Sequence, residues 1–245
     1  GLGLYEASIN NQKVGDEFLV PYCNDYHEWL QYQTYDISAQ LTAESLIEVV
    51  LGNGWYKGRF GFDQTNKTNH YGDAWALIAE IHIEYIDGSK EIFKTDESWR
   101  VRYSNIVASS IYDGESVDAT LDDTVEEPVI ITNHTTETLI ERLSLPVVIQ
   151  EKLKPIALIT TPRGETVLDM GQNHAGIFEL TIHEPKGTSI HLYFGEILQD
   201  GNFYRDNLRT AQAAYHYVGS ESIDETFFAR DFLCSQNCLF KLTWR

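Results

Sequence analysis

Residues 52–62 read GNGWYKGRFGF, with four glycines, four aromatics and two cations in eleven positions. Two kinds of chemistry use such a stretch. Glycines let backbone N–H groups cradle a phosphate, provided that they open a helix inside a strand–helix–strand unit. Aromatic faces stack on the C–H faces of a sugar ring while Asn and Asp bind its hydroxyls. The residues that follow, DQTNKTNHYGDAW, are polar loop with no crossover helix, so the phosphate reading fails. Asn53, Trp55, Tyr56, Arg59 and Asp73 are then the candidate carbohydrate-binding residues. The competing reading is structural: Trp55 and Phe60 pack in a core, and the glycines shape a bulged loop.

A second cluster, IYDGESVDA (111–119), places Asp113, Glu115 and Asp118 within six residues. Hard carboxylate oxygens at this density suit calcium, with Asp113 and Glu115 as candidate ligands, although the offsets are not those of an EF-hand loop. The plainer alternative is a turn with Asp113-Gly114 at its tip. Paired acids also admit a glycosidase reading, in which two carboxyls flank the scissile bond. Gln172, Asn173 and His174 lie between two glycines, where a lone histidine serves hydrogen-bonded structure more often than catalysis. The excursion FGEILQDGNFYRDNLRTAQ (194–212) is rich in Arg and Asp and reads as a loop closing onto a neighbouring domain. Neither a Gly-x-Ser-x-Gly elbow nor a His-Glu-x-x-His helix is present. No cofactor is required by these residues, and calcium is the one candidate.

Composition narrows the partners. The chain has 245 residues and a formal charge of −19, from 37 acidic against 18 basic side chains. Nucleic acid and anionic membranes both need clustered Lys and Arg, which are missing, so neither is an expected partner. Cys23, Cys234 and Cys238 do not make a disulfide framework. The Cys234/Cys238 spacing could suit a metal but has no histidine among its immediate neighbours. No apolar run approaches the ~20 residues of a membrane helix, and GLGLYEASIN lacks the basic start and apolar core of a signal peptide. A cytoplasmic setting is the expectation.

The elements that must position these residues are short strands. IAEIHIEYIDGSKEIFKT (78–95) alternates through Ile81, Ile83 and Tyr85 into an Asp87-Gly88 turn, which predicts a type I′ hairpin. FELTIHEPKGTSIHLYFGEIL (178–198) predicts a second hairpin around Pro185-Lys186-Gly187, and ETVLDMGQNHAGIFEL (165–180) a third strand pair. LTAESLIEVVLG (41–52) has a brief helical period, while TTETLIERLSL (135–145) fits strand and helix equally. The fold class is all-β: two β-sandwich, jelly-roll-like domains, at residues 1–135 and 136–245.

Seven segments in order carry a resemblance. YEASINNQKVGD (5–16), YQTYDIS (32–38), GNGWYKGRFGF (52–62), HYGDAWALIAEI (70–81) and IYDGE (111–115) resemble the N-terminal β-domain of bacterial α-L-rhamnosidases, glycoside hydrolase family 78. LKPIALITTPRGETVLDMGQNHAGIFEL (153–180) and GNFYRDNLRTA (201–211) resemble the concanavalin-like domain that follows it. The resemblance implies a partner, the family's (α/α)6 catalytic barrel, which holds its general acid and base and which this sequence does not contain. It also implies a rhamnose-containing glycoside as the ligand of the whole enzyme and, in some members, calcium-assisted rhamnose binding by the N-terminal module. No residue of this chain is then catalytic. The pattern departs at Tyr22-Cys23, where the family has Gly-Trp, and over ARDFLCSQNCLFKLTWR (229–245), which leaves the second sandwich incomplete.

Overall fold

The computed structural model describes residues 1–62, 64–122, 124–220, 225–228 and 233–244. The first half contains β1 (Leu4–Ile9), β2 (Gln12–Lys13), β3 (Leu30–Tyr32), β4 (Ile47–Gly52) and a one-turn helix, α1 (Gly54–Lys57). It continues through β5 (Glu80–Glu84), β6 (Lys90–Lys94), β7 (Arg100–Val101), β8 (Ile106–Ser110), β9 (Gly114–Asp118) and β10 (Glu127–Pro128). Then follow β11 (Leu139–Glu141), β12 (Ala157–Thr160), β13 (Thr166–Gly176), β14 (Glu179–Ile182) and β15 (Ser189–Gly195). The chain ends on β16 (Ile197–Gln199), β17 (Asn202–Tyr204), β18 (Ala214–Val218), β19 (Glu225–Phe228) and β20 (Leu233–Trp244). The all-β class read from the sequence holds.

β1 and β4 pair antiparallel from Leu4↔Gly52 to Ile9↔Ile47. The helical period of residues 41–52 is thus overridden. Ile47, Val49 and Val50 are β-branched, their stiff side chains suit a pleated surface, and β1 supplies hydrogen bonds that an isolated turn of helix would lack. The ambiguous 135–145 segment resolves as strand β11, parallel to β3 through Leu139↔Leu30. Gln31 fixes that junction: its buried side-chain carbonyl accepts from the backbone N–H groups of Leu143 and Ser144 at 2.7 and 2.9 Å.

The principal sheet has seven strands in the order β12-β13-β20-β15-β18-β9-β8. Period-2 alternation sends Ile190, Leu192 and Phe194 of β15, Tyr215 and Tyr217 of β18 and Val117 of β9 into one core with Met170 and Phe240. Edge-to-face rings knit it, as in Phe178–Tyr215 at 4.6 Å and Phe194–Phe240 at 4.7 Å between centroids. The opposite face carries a smaller cluster of Val167, Phe203 and Leu239 at one end and Ser116, His191 and His216 at the other. β8 and β9 come from the first half of the chain, yet β9 pairs in parallel with β18 through His216↔Ser116. The two halves therefore share one sheet.

Several local expectations change. β5 and β6 do pair, from Glu80↔Lys94 to Glu84↔Lys90. Their turn is not type I′, because within the loop only Gly88 takes positive φ, at 84°. Gly88 N–H donates to Tyr85 at 2.9 Å and Tyr85 N–H to Ser89 at 2.8 Å, a three-residue loop ending on a left-handed glycine. β14 and β15 do not form a hairpin: β14 pairs with β19, and β15 lies between β18 and β20. Nor do residues 165–180 pair with each other, since β13 is one long bulged strand between β12 and β20. Leu233–Trp244, where the sequence leaves the family pattern, is paired as β20 in the middle of the sheet. Residues 229–232 and Arg245 lie outside the described residues, as do the side chains of Cys234 and Cys238.

Candidate functional site at the junction of the two halves

The GNGWYKGRFGF motif lies where β4 runs through α1 toward the large sheet. Gly54–Lys57 makes a single helical turn, with Lys57 N–H donating to the Asn53 carbonyl at 3.0 Å. Tyr56 points inward and is 8% exposed, packed edge-on against Tyr26 at 4.9 Å. Burial, and then the nearby charge of Asp73, raise the pKa of its phenol. Residue 72 must be glycine here, because a Cβ would overlap the Tyr56 hydroxyl.

Arg59 is the centre of a clamp. Its Nε donates to Asp113 Oδ2 at 2.8 Å, its Nη2 pairs with Asp113 Oδ1, and its Nη1 donates to Thr210 Oγ1 at 3.1 Å. Nη2 also donates to the Thr210 carbonyl. Thr210 in turn donates from Oγ1 to the Gly61 carbonyl at 2.6 Å. Asp113 accepts from the Gln212 N–H at 3.1 Å, and Ala213 and Ala214 donate to the carbonyls of Tyr112 and Asp113. Three separated segments are held by one guanidinium whose planar fork matches a carboxylate bidentately. Gly114 completes the joint: φ is 95°, and a Cβ would run into the Ala214 carbonyl.

Beside the clamp opens a cleft of about 590 Å³, walled by α1 and its flanks on one side and by β8, β9, β15 and β18 on the other. Asn53 donates from Nδ2 to the Ser109 carbonyl at 3.0 Å, while its Oδ1 is buried without a hydrogen-bond partner. His191 and His216 stack across β15 and β18 at 4.2 Å, with planes 7° apart, and Tyr193 lies parallel to His191 at 6.2 Å. His216 Nε2 is also buried without a hydrogen-bond partner. Glu115 is 2% exposed.

Of the carbohydrate-binding candidates, Asn53 and Arg59 line this cleft, together with Asp113 and Glu115 from the calcium candidates. Tyr56 does not; it belongs to the core beneath. Trp55 is partly buried and Asp73 is exposed, and neither lines the cleft. Trp75 is exposed, 45% accessible, with Lys57 Nζ 3.6 Å above its centre, and Phe62 at the end of the motif is exposed as well. The acids do not fit a calcium site. Both oxygens of Asp113 are bonded to Arg59, and among the described residues no group of three or more His, Cys, Asp or Glu is placed to hold a metal ion. His174 is held structurally, its Nδ1 3.2 Å from the Gln172 carbonyl and its ring against Phe240. No helix among the described residues is long and apolar enough to cross a membrane.

His191 and His216 are cleft residues that the motifs do not announce. Their one signal is alternation: each histidine sits between core residues in IHL and YHY, which puts both on the non-core face.

Two layered β units sharing one sheet, with a polar cleft at their seam, define a two-domain β-sandwich protein. The chain belongs to the α-L-rhamnosidase family. The family model for the α-L-rhamnosidase N-terminal domain matches residues 1–156, and that for the bacterial α-L-rhamnosidase concanavalin-like domain matches 159–233. An α-L-rhamnosidase of Streptomyces avermitilis is 33% identical over 94% of this chain, and one of an Alteromonas species 26% identical over 88%. The chain spans about a quarter of the length of these curated relatives, 23% and 25%. Among solved structures, the native Aspergillus terreus α-L-rhamnosidase superposes with a TM-score of 0.93 at 30% identity, over 98% of this chain and 29% of that one. The Streptomyces avermitilis enzyme complexed with L-rhamnose gives 0.90 at 30% identity, over 99% of this chain and 24% of that one.

Proposed function

We propose that this chain is the non-catalytic N-terminal portion of an α-L-rhamnosidase, a two-sandwich support for the catalytic domain that hydrolyses terminal α-L-rhamnosyl residues. One observation carries the reading: β9 of the first matched domain is hydrogen-bonded to β18 of the second, and Arg59 clamps the same seam. A shared sheet fixes the angle between two domains as a linker cannot, which is what a support for a third domain needs. The GNGWYKGRFGF motif serves this joint. Tyr56 and Arg59, the two side chains that sugar recognition would most need free, are engaged in packing and in the clamp. The purified chain is expected to leave p-nitrophenyl α-L-rhamnoside intact. Turnover at an enzyme-like rate, retained after Arg59→Ala, would place a reaction in the chain and overturn the reading.

A further inference from the structure

We infer that the free edge of the seven-stranded sheet, at β12, pairs with the exposed segment 129–135 of a second copy of this chain, so that copies associate head to tail. This goes beyond the supporting role and stands or falls separately from it. β12 lies at the end of the sheet, with β13 as its neighbour. Thr161 N–H donates to the Glu165 carbonyl at 3.0 Å, in the register that pairs Thr160 with Thr166. Alternation along an antiparallel ladder then turns the N–H and C=O groups of Leu158 and Thr160 outward, where no described strand takes them. Proteins ordinarily blunt such an edge with charge, as β5 and β6 do through the Glu84–Lys90 and Glu80–Lys94 pairs. β12 carries no charge. Ile156, Ala157, Leu158 and Thr160 are all exposed, Leu158 at 69%.

Segment 129–135, VIITNHT, has what the edge lacks. It belongs to no strand or helix, and none of its residues has the positive φ that would bar an extended backbone. Ile130 and Ile131 are exposed, Ile130 at 88%. Charge selects this segment among the exposed apolar stretches. Lys154 and Arg163 flank β12, exposed and in no ion pair with a described residue, and Glu126, Glu127 and Glu137 flank the segment in the same condition. An antiparallel register that sets Arg163 against Glu127 lays Thr160 against Ile130, Ile159 against Ile131 and Leu158 against Thr132, and brings Lys154 beside Glu137. Ile131 then extends the cluster of Val167, Phe203 and Leu239 on which Ile159 packs. Two β12 strands paired about Leu158 would instead place Arg163 of one copy between Lys152 and Lys154 of the other. The formal charge of −19 opposes association at long range. At physiological salt the Debye length of about 8 Å confines that repulsion and spares the close pairs.

The test is sedimentation velocity of the intact chain over a concentration series at physiological salt. A mass that rises with concentration above that of a single copy is expected. Leu158→Lys and Ile130→Lys, both at exposed positions, should each weaken association about tenfold or more. Mixed in equal amounts, the two variants should form a one-to-one dimer that grows no further, because each keeps the surface that the other has lost. Should Leu158→Lys fail to fold, Thr160→Pro takes its place, since it removes an outward N–H and no bond to β13. A chain that stays monomeric, association lost in the β12 variant but kept in Ile130→Lys, or a mixture that yields no dimer would overturn the inference. None of these outcomes touches the supporting role, which is read by turnover.

Discussion

Arg59 shows how one side chain can look like a ligand-binding group and serve as a joint. Its guanidinium side chain is 10% exposed and bonded to a carboxylate and a carbonyl. Its loss leaves Asp113 partly buried without its counter-charge, so Arg59→Ala should destabilise folding by about 2–3 kcal/mol. Arg59→Lys should recover only part of this, because an ammonium cannot reproduce the fork. Chemical denaturation of the three proteins checks the order. Tyr56→Ala, which empties a core site, should cost about 3–5 kcal/mol, whereas a stacking platform would tolerate the change with almost no loss of stability. The composition of GNGWYKGRFGF was enough to single out this stretch. Its role was not legible, because Asp113 lies 54 residues along the chain and Thr210 lies 151, and no local pattern encodes a contact at that separation.

At the level of elements, alternation was legible and pairing was not. Ile81 and Ile83, or Ile190, Leu192 and Phe194, announce strands by their period, and these strands exist. Which strand lies beside which depends on topology, so β14 and β15 read as a hairpin although each pairs elsewhere. The stacked histidines share this property: their face follows from the sequence, but their meeting depends on the register His191↔His216. A pH effect also belongs here, at the seam of β13, β17 and β20. Burial pushes the Glu165 pKa up, but the Phe203 N–H, Lys241 and Thr161 together outweigh it and hold the carboxyl below its ordinary 4.5. The folded protein keeps this group ionised where the unfolded chain takes up a proton. Its contribution is complete above about pH 4.5 and is lost as the pH falls through the lower folded value. Glu165→Gln should therefore make stability less steeply dependent on pH below that point, while lowering it by about 1–2 kcal/mol at neutral pH. Urea unfolding at neutral and acid pH measures both.

For the whole molecule, the central claim is that the two family-matched domains form one mechanical unit. The sheet that contains β12, β13, β15, β18 and β20 also takes in β8 and β9 of the first matched domain. That crossing, together with the Arg59 clamp, makes it difficult for either half to melt alone. Ordered motifs made the two-sandwich architecture legible, but a single sequence gives no view of strands exchanged across a seam. Differential scanning calorimetry of the intact chain tests the claim most directly. One cooperative transition, whose calorimetric and van't Hoff enthalpies agree and which moves as a whole to lower temperature in Arg59→Ala, is the predicted result. Two separate transitions, with only one displaced by that substitution, would contradict it.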